Sequence, residues 1–462
     1  LSRVIDRYHQ LLAEEDPAAL WADFARKLGE NHLVFGDRPI CSVLRPLFLH
    51  RREYDQIVQA TSLVMSALHA LYQAMRRGDL DMAGLLALSP AEARLTQLPD
   101  TYGRPDVSAR MDAFWLRGEE LGTGDLYFLE YNADSPGGLA YGDVLGDLFE
   151  ELPPMQRLAQ EVTLSRHPVR QEVVETLLAC YADWCRATAR VPQPRPNIAI
   201  VDWRTVRTRN EFVLITRSLE AAGCAVRICD PDELSLREGR LWAGDDFPVD
   251  LVYKRLVVNE LINRYPDPEE LMAHPLVQAV AQERVCMANH FNCQLLYNKA
   301  IFALLSDEAN AHLFSPAEQA AIQRHIPWTR LVTDRQTVFD GAAQGLVAYI
   351  RDHQAELVLK PVREYGGTGV LLGWEMEPDA WQAGLAQALD SPTIVQRRVP
   401  TPRERFPVVE GGKLRLVERM MDIDPYVWQG ERIAHAGVRL GSQALLNVSA
   451  GGGSAVPLFI VE

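Results

Sequence analysis

The stretch Leu357-Val-Leu-Lys360-Pro-Val-Arg363-Glu364-Tyr365-Gly366-Gly367-Thr368-Gly369-Val-Leu-Leu372 sets a lysine, an arginine and a glutamate between a short apolar run and a glycine-rich turn. The run reads as a buried strand, and the apolar residues after Gly369 read as a second strand returning beside it. A loop without bulky side chains lets backbone N–H groups approach phosphate oxygens. Lys360 would neutralise phosphate charge, the backbone of Gly366, Gly367, Thr368 and Gly369 would line the phosphates, and Glu364 offers Mg²⁺ a hard oxygen ligand. The same residues also describe a glycine-rich hairpin carrying a solvated charge cluster; the lysine and glutamate beside the glycines favour phosphate.

Upstream lies Tyr127-Phe-Leu-Glu130-Tyr-Asn132-Ala-Asp134-Ser135-Pro136-Gly137-Gly138-Leu139. On a strand, Glu130 and Asn132 project from one face, and two side-by-side oxygens suit Mg²⁺, which takes few protein ligands and completes its shell with water and phosphate. Arg110 to Leu116, a turn-rich connection, and Leu126 to Asn132 predict a hairpin. Arg110 and Asp112 share a face and would lie across it, unless the strand simply presents an exposed polar face to water. Lys299 opens an amphipathic helix as a phosphate contact or a solvated lysine. Ile394-Val-Gln396-Arg397-Arg-Val399 reads as a core strand or as one whose backbone meets an adenine edge. The glycine-rich tail from Asn447 to Ser454 is equally a lid over phosphates or a turn.

Around these segments the composition is that of a folded globular chain. The 462 residues are 47% hydrophobic and 24% charged, which at about 150 residues per domain suggests about three domains. The net charge of −15 disfavours a nucleic-acid partner. Seven cysteines without a Cys-x-x-Cys pair point to a reducing, cytoplasmic setting, and no apolar run approaches the roughly 20 residues of a membrane helix. The polar start Leu1-Ser2-Arg3 does not resemble the core of a signal peptide. Cys286, His290 and Cys293 would share a helical face but lack an evident fourth zinc ligand, so they read as core. The Walker phosphate loop, the His-Glu-x-x-His metalloprotease motif and the Gly-x-Ser-x-Gly elbow do not occur.

Helical spacing from Val4 to about Leu98 predicts a helical N-terminal layer, residues 1–100, followed by a hairpin-bearing region, 101–190. Beyond the punctuation of Pro192 to Pro196, strand–helix–strand order predicts a small parallel α/β unit over 195–275, with Lys254 and Arg255 at a strand end as candidate carboxylate binders or as surface charge. Residues 276–462 would form the nucleotide-binding region.

Taken together, Arg110-x-Asp112, Glu130-x-Asn132, Gly137-Gly138-Leu139, Lys299, Lys360-Pro-Val-Arg363-Glu364 and the Gln396 strand resemble the ATP-grasp superfamily. The metal element precedes the glycine loop, an order that resembles the circularly permuted branch containing eukaryotic-type glutathione synthetase and glutathionylspermidine synthase-like proteins. The likeness covers roughly residues 105 to 462 in short blocks. Tyr365 stands where that family has the first loop glycine, and Thr368-Gly369 where it has asparagines, which leaves the substrate open. The resemblance implies an α/β fold, a permuted ATP-grasp with an inserted parallel α/β substrate domain and the helical N-terminal layer. It further implies an ATP- and Mg²⁺-dependent carboxylate–amine ligase acting through an acyl phosphate on a small amino acid, peptide or polyamine-type substrate. Its site would use Lys299, Lys360, Gly366–Gly369, Gln396, Arg397 and Val399 for ATP, with Glu130, Asn132 and Glu364 for metal. Arg110, Asp112, Lys254 and Arg255 would serve substrate, and Arg363 the transition state. A kinase that stops at the phosphorylated product and a nucleotide-binding scaffold are the alternatives, and a homodimer is among the open assemblies.

Overall fold

A computed structural model describes residues 1–35, 38–120, 122–364, 366–443, 446 and 453–462. Its centre is an antiparallel sheet in the order Ser454–Ala455, Arg432–Gly441, Lys413–Trp428, Ser108–Arg117, Gly124–Asn132, with Arg403–Glu410 also pairing with Lys413–Trp428. The predicted hairpin is the last pair of that order, in a register that sets Asp112 opposite Glu130 and Arg110 opposite Asn132. Lys413–Trp428 pairs antiparallel with Ser108–Arg117, so the sheet joins segments far apart in the sequence.

A second sheet carries the lysine and the glycine loop. Its order is Thr329–Leu331, Thr393–Arg397, Leu357–Pro361, Leu371–Leu372, antiparallel throughout. Leu357, Leu359 and Val395 pack with Trp381 and Leu346 in a core of their own.

The parallel unit is present with a helix at Arg209–Ala221, and its sheet order is Cys286–Ala288, Leu251–Lys254, Ile198–Val201, Val226–Cys229. Alternation along its strands explains how it docks: Ile198, Ile200, Leu251 and Tyr253 face the main core, while Ala199, Val201 and Val252 face a second core with Leu95 and Leu98. The sheet runs past residue 275, since Cys286–Ala288 pairs parallel with Leu251–Tyr253 as its edge strand. That strand also removes the helical face expected for Cys286, His290 and Cys293; all three are buried, and His290 accepts the N–H of Asn292. Among the described residues no group of three His, Cys, Asp or Glu is placed to hold a metal.

The first hundred residues are mainly helical but not only so. The long helix Arg51–Arg77 starts at a capping box of His50 and Glu53 and stops at Gly78, whose φ of 81° ends the helix in the left-handed region. It buries Ile57, Val64, Leu68, Leu71 and Met75. The strand Leu47–His50 departs from the all-helical expectation, since it runs parallel to the C-terminal Leu458–Val461. No helix among the described residues is long and apolar enough to cross a membrane.

Candidate functional site

The central sheet and the glycine-loop sheet face each other across a cavity of about 370 Å³. Glu130, Asn132, Lys299, Lys360, Glu364, Gly366, Gly367 and Thr368 all line it. Lys360 leaves its strand toward Gln396, donating to Oε1 at 2.7 Å, while the Gln396 amide donates to Thr329 Oγ1 at 3.1 Å. Burial pulls the Lys360 ammonium down to about 8, against the attraction of Glu130. Lys299 precedes the helix Ala300–Ser306; its Nζ donates to the Glu364 carbonyl at 2.6 Å and lies 3.2 Å from Glu130 Oε2. Burial pushes the Glu130 carboxyl up and Asp112 adds to it, but Lys299, Lys360 and Arg439 together outweigh them and the group stays below its ordinary value. Gly366 and Gly367 hold φ of 65° and 80°, conformations that a side chain would strain, which is why the turn needs glycine there.

The residues present fit a magnesium ion better than a transition metal. Asn132 donates through Nδ2 to Asp112 at 2.9 Å, which orients the amide so that Oδ1 is the atom left for a cation. With ionised Glu130 and with Glu364 across the cavity, the set is a few hard oxygens without His or Cys.

The cavity wall also holds residues that sequence reasoning missed. Asp422 and Asp424 on Lys413–Trp428 and Arg439 on Arg432–Gly441 line it beside Arg110 and Asp112. Arg110 takes Asp112 in a fork, 2.7 Å and 3.0 Å, and donates to the Gly137 carbonyl at 2.7 Å. Arg439 bridges Asp112 and Asp422 at 2.6 Å each. Burial would raise Asp112, yet the two guanidiniums bring it down to about 2. Asp424 is instead pushed well above the carboxylate range, by burial first and by Asp112 and Asp422 after it. The available signal was the spacing itself: Asp422-x-Asp424 has the same-face period as Arg110-x-Asp112 and Glu130-x-Asn132.

Several expected residues lie elsewhere. Arg363 is not in the cavity wall; its Nε pairs with Glu92 at 2.9 Å, and its carbonyl accepts from Asn259. Lys254 is buried against Asp134, and Arg255 donates to the Pro136 carbonyl at 2.6 Å and pairs with Glu211 at 3.3 Å. Both therefore brace the Asp134–Gly138 wall from behind and are not presented to a substrate. Arg397 is exposed and packs over Phe339, and neither it nor Val399 lines the cavity. Tyr365 and residues 447–452 of the tail fall outside the described residues.

The chain shares its fold with a solved glutathione synthetase-like protein. The structure of a glutathione synthetase-like effector from Globodera pallida superposes with a TM-score of 0.57, covering 95% of this chain and 92% of that one at 14% identity. A putative gamma-glutamylcysteine synthetase from Methylobacillus flagellatus gives 0.41 over 86% of this chain and 88% of that one at 11% identity. No family model matches the sequence. An uncharacterized protein of Synechocystis sp., sll0335, is 28% identical over 215 residues, which is 45% of this chain. The matched segment spans 41% of the length of that relative.

Proposed function

We propose that the protein is an ATP- and Mg²⁺-dependent carboxylate–amine ligase. The observation that carries this is the convergence of Lys299, Lys360 with the Gly366–Thr368 turn, and the Glu130–Asn132 pair, from three separate segments, on one cavity. Phosphoryl transfer asks for positioning and charge neutralisation more than for covalent catalysis, and these residues supply both. Lys360 and Lys299 would hold the phosphates, and the Gln396 strand would meet the base. Glu130, Asn132 and Glu364 would hold Mg²⁺, which when bound neutralises phosphate charge. In this reading the acid's carboxylate oxygen takes the γ-phosphoryl group, ADP leaves, and the amine displaces phosphate from the acyl phosphate to form an amide.

The position of Glu130-x-Asn132 before the glycine loop supports the permuted order, with the parallel unit as substrate domain. Small acids and amines are the partners this reading requires. The test is ADP release from Mg-ATP against pools of amino acids, small peptides and polyamines, with mass detection of the product. ADP formed in step with an amide supports the ligase; ADP with only a phosphorylated acid would make it a kinase; no release with any pool would overturn the reading.

A further inference from the structure

The first hundred residues supply none of the phosphate or metal groups described above, yet two of them, Phe35 and Ile40, line the cavity, together with Tyr141 and Val456. Phe35 and Tyr141 pack edge to face with ring centroids 5.8 Å apart. The Ile40 carbonyl accepts the Ala455 N–H at 2.7 Å, and the next N–H, that of Val456, donates to the Val438 carbonyl at 3.1 Å. Ile40 is thereby held at the Ser454–Ala455 edge of the central sheet, which three strands separate from the Glu130–Asn132 pair on Gly124–Asn132. The chain at Phe35 is fixed by Asn210, whose amide donates to the Val34 carbonyl at 2.9 Å. One polar atom stands in this apolar wall: Tyr141 is 4% exposed, and its hydroxyl finds no acceptor among the described residues. The Glu211 N–H near it is directed to the Thr208 carbonyl at 2.9 Å. A buried hydroxyl in that state is costly unless a ligand completes it. The nucleotide is not that ligand, because its proposed site draws on Lys360, the glycine turn and the Gln396 strand, all in the facing sheet.

From this we infer that Phe35, Ile40, Tyr141 and Val456 seat an apolar side chain, branched aliphatic or aromatic, at the non-reacting end of one of the two substrates, with the Tyr141 hydroxyl donating to an acceptor on the same molecule. Phe35 then limits the size of that side chain. The word substrate rests on the ligase reading, whereas the seat rests on the cavity wall alone. It also gives the N-terminal region a role that none of its sequence motifs conveys: it completes the wall that selects the substrate.

Calorimetric titration of the full chain, with and without Mg-ADP, tests this. The ligands are amino acids, free and as glycyl dipeptides, in pairs of like shape that differ in polarity: leucine with asparagine, and valine with threonine, with phenylalanine added to report size. In at least one pair the apolar member should bind at least about tenfold more tightly, as burial of such a side chain requires, and should do so with Mg-ADP in place and without displacing it. Phe35→Ala should shift the preference from leucine toward phenylalanine. Tyr141→Phe should weaken the apolar ligand several-fold without lowering the melting temperature, a result that a purely structural hydroxyl would not give. Equal affinities within every pair, no binding at all, a preference for the polar members, or displacement of Mg-ADP by the apolar ligand would overturn the inference, and the unsubstituted protein decides this even if a variant misfolds. An apolar preference without ATP-driven amide formation would leave the seat standing and remove the ligase; amide formation without the preference would do the reverse.

Discussion

Replacing Arg363 by glutamine should destabilise the protein and leave its chemistry nearly intact, contrary to the transition-state role its sequence context suggests. The guanidinium pairs with Glu92, which is 2% exposed at the side chain while Arg363 is 29% exposed. Glu92 belongs to the capping box of the helix Pro90–Thr96, where it also accepts the Ser89 N–H at 2.7 Å. Removing one partner of a fully buried pair costs about 3–5 kcal/mol. Here one partner is partly solvated and the carboxylate keeps its backbone donor, so the loss should be about 2–3 kcal/mol, most of it from Glu92 left underpaired. Arg363→Lys, which keeps the charge without the fork, should lose less. Equilibrium denaturation read alongside Mg-ATP affinity and turnover on one preparation checks this. A hundredfold loss of turnover at unchanged stability would refute the reasoning and return Arg363 to the chemistry.

Lys360→Met should weaken Mg-ATP binding by about 10- to 100-fold, the loss of one charge-assisted phosphate contact, as titration calorimetry would read. Because burial holds the Lys360 ammonium near 8, its charge is present below that value and is lost above it; affinity for Mg-ATP should therefore fall as pH rises through about 8, and flatten in the methionine variant. Glu130→Gln should raise the Mg²⁺ concentration for half-maximal ADP release by about tenfold or more, since a neutral amide replaces a charged ligand. Lys254→Met leaves buried Asp134 with the Val258 N–H and the Gln294 amide but without its cation, and should cost about 3–5 kcal/mol by denaturation.

Much of the site could be read in the chain because its signals are local. The strand before Lys360, the turn glycines and the Glu130-x-Asn132 face depend on spacing within a dozen residues, and the structure places them as spacing requires. What spacing could not convey is which partner a charged side chain finds. Arg363 meets a residue 271 positions earlier, and Lys254 one 120 positions earlier, so two cations that look available in sequence are spent on holding the fold. Asp424 is the converse case. It precedes Pro425 in a strand of sixteen residues, and a proline argues against a central strand; yet the register with Arg432–Gly441 shifts just there, and that irregularity accommodates the proline. The same-face spacing of Asp422 and Asp424 was thus a signal that the adjacent proline argued against.

Calorimetric titration of the protein with ATP, with Mg²⁺ present and with Mg²⁺ removed by EDTA, tests the nucleotide site most directly. Saturable one-to-one binding that weakens without Mg²⁺, and that Lys360→Met diminishes, is the predicted result. Absence of binding heat at millimolar Mg-ATP, together with no rise in melting temperature, would contradict it.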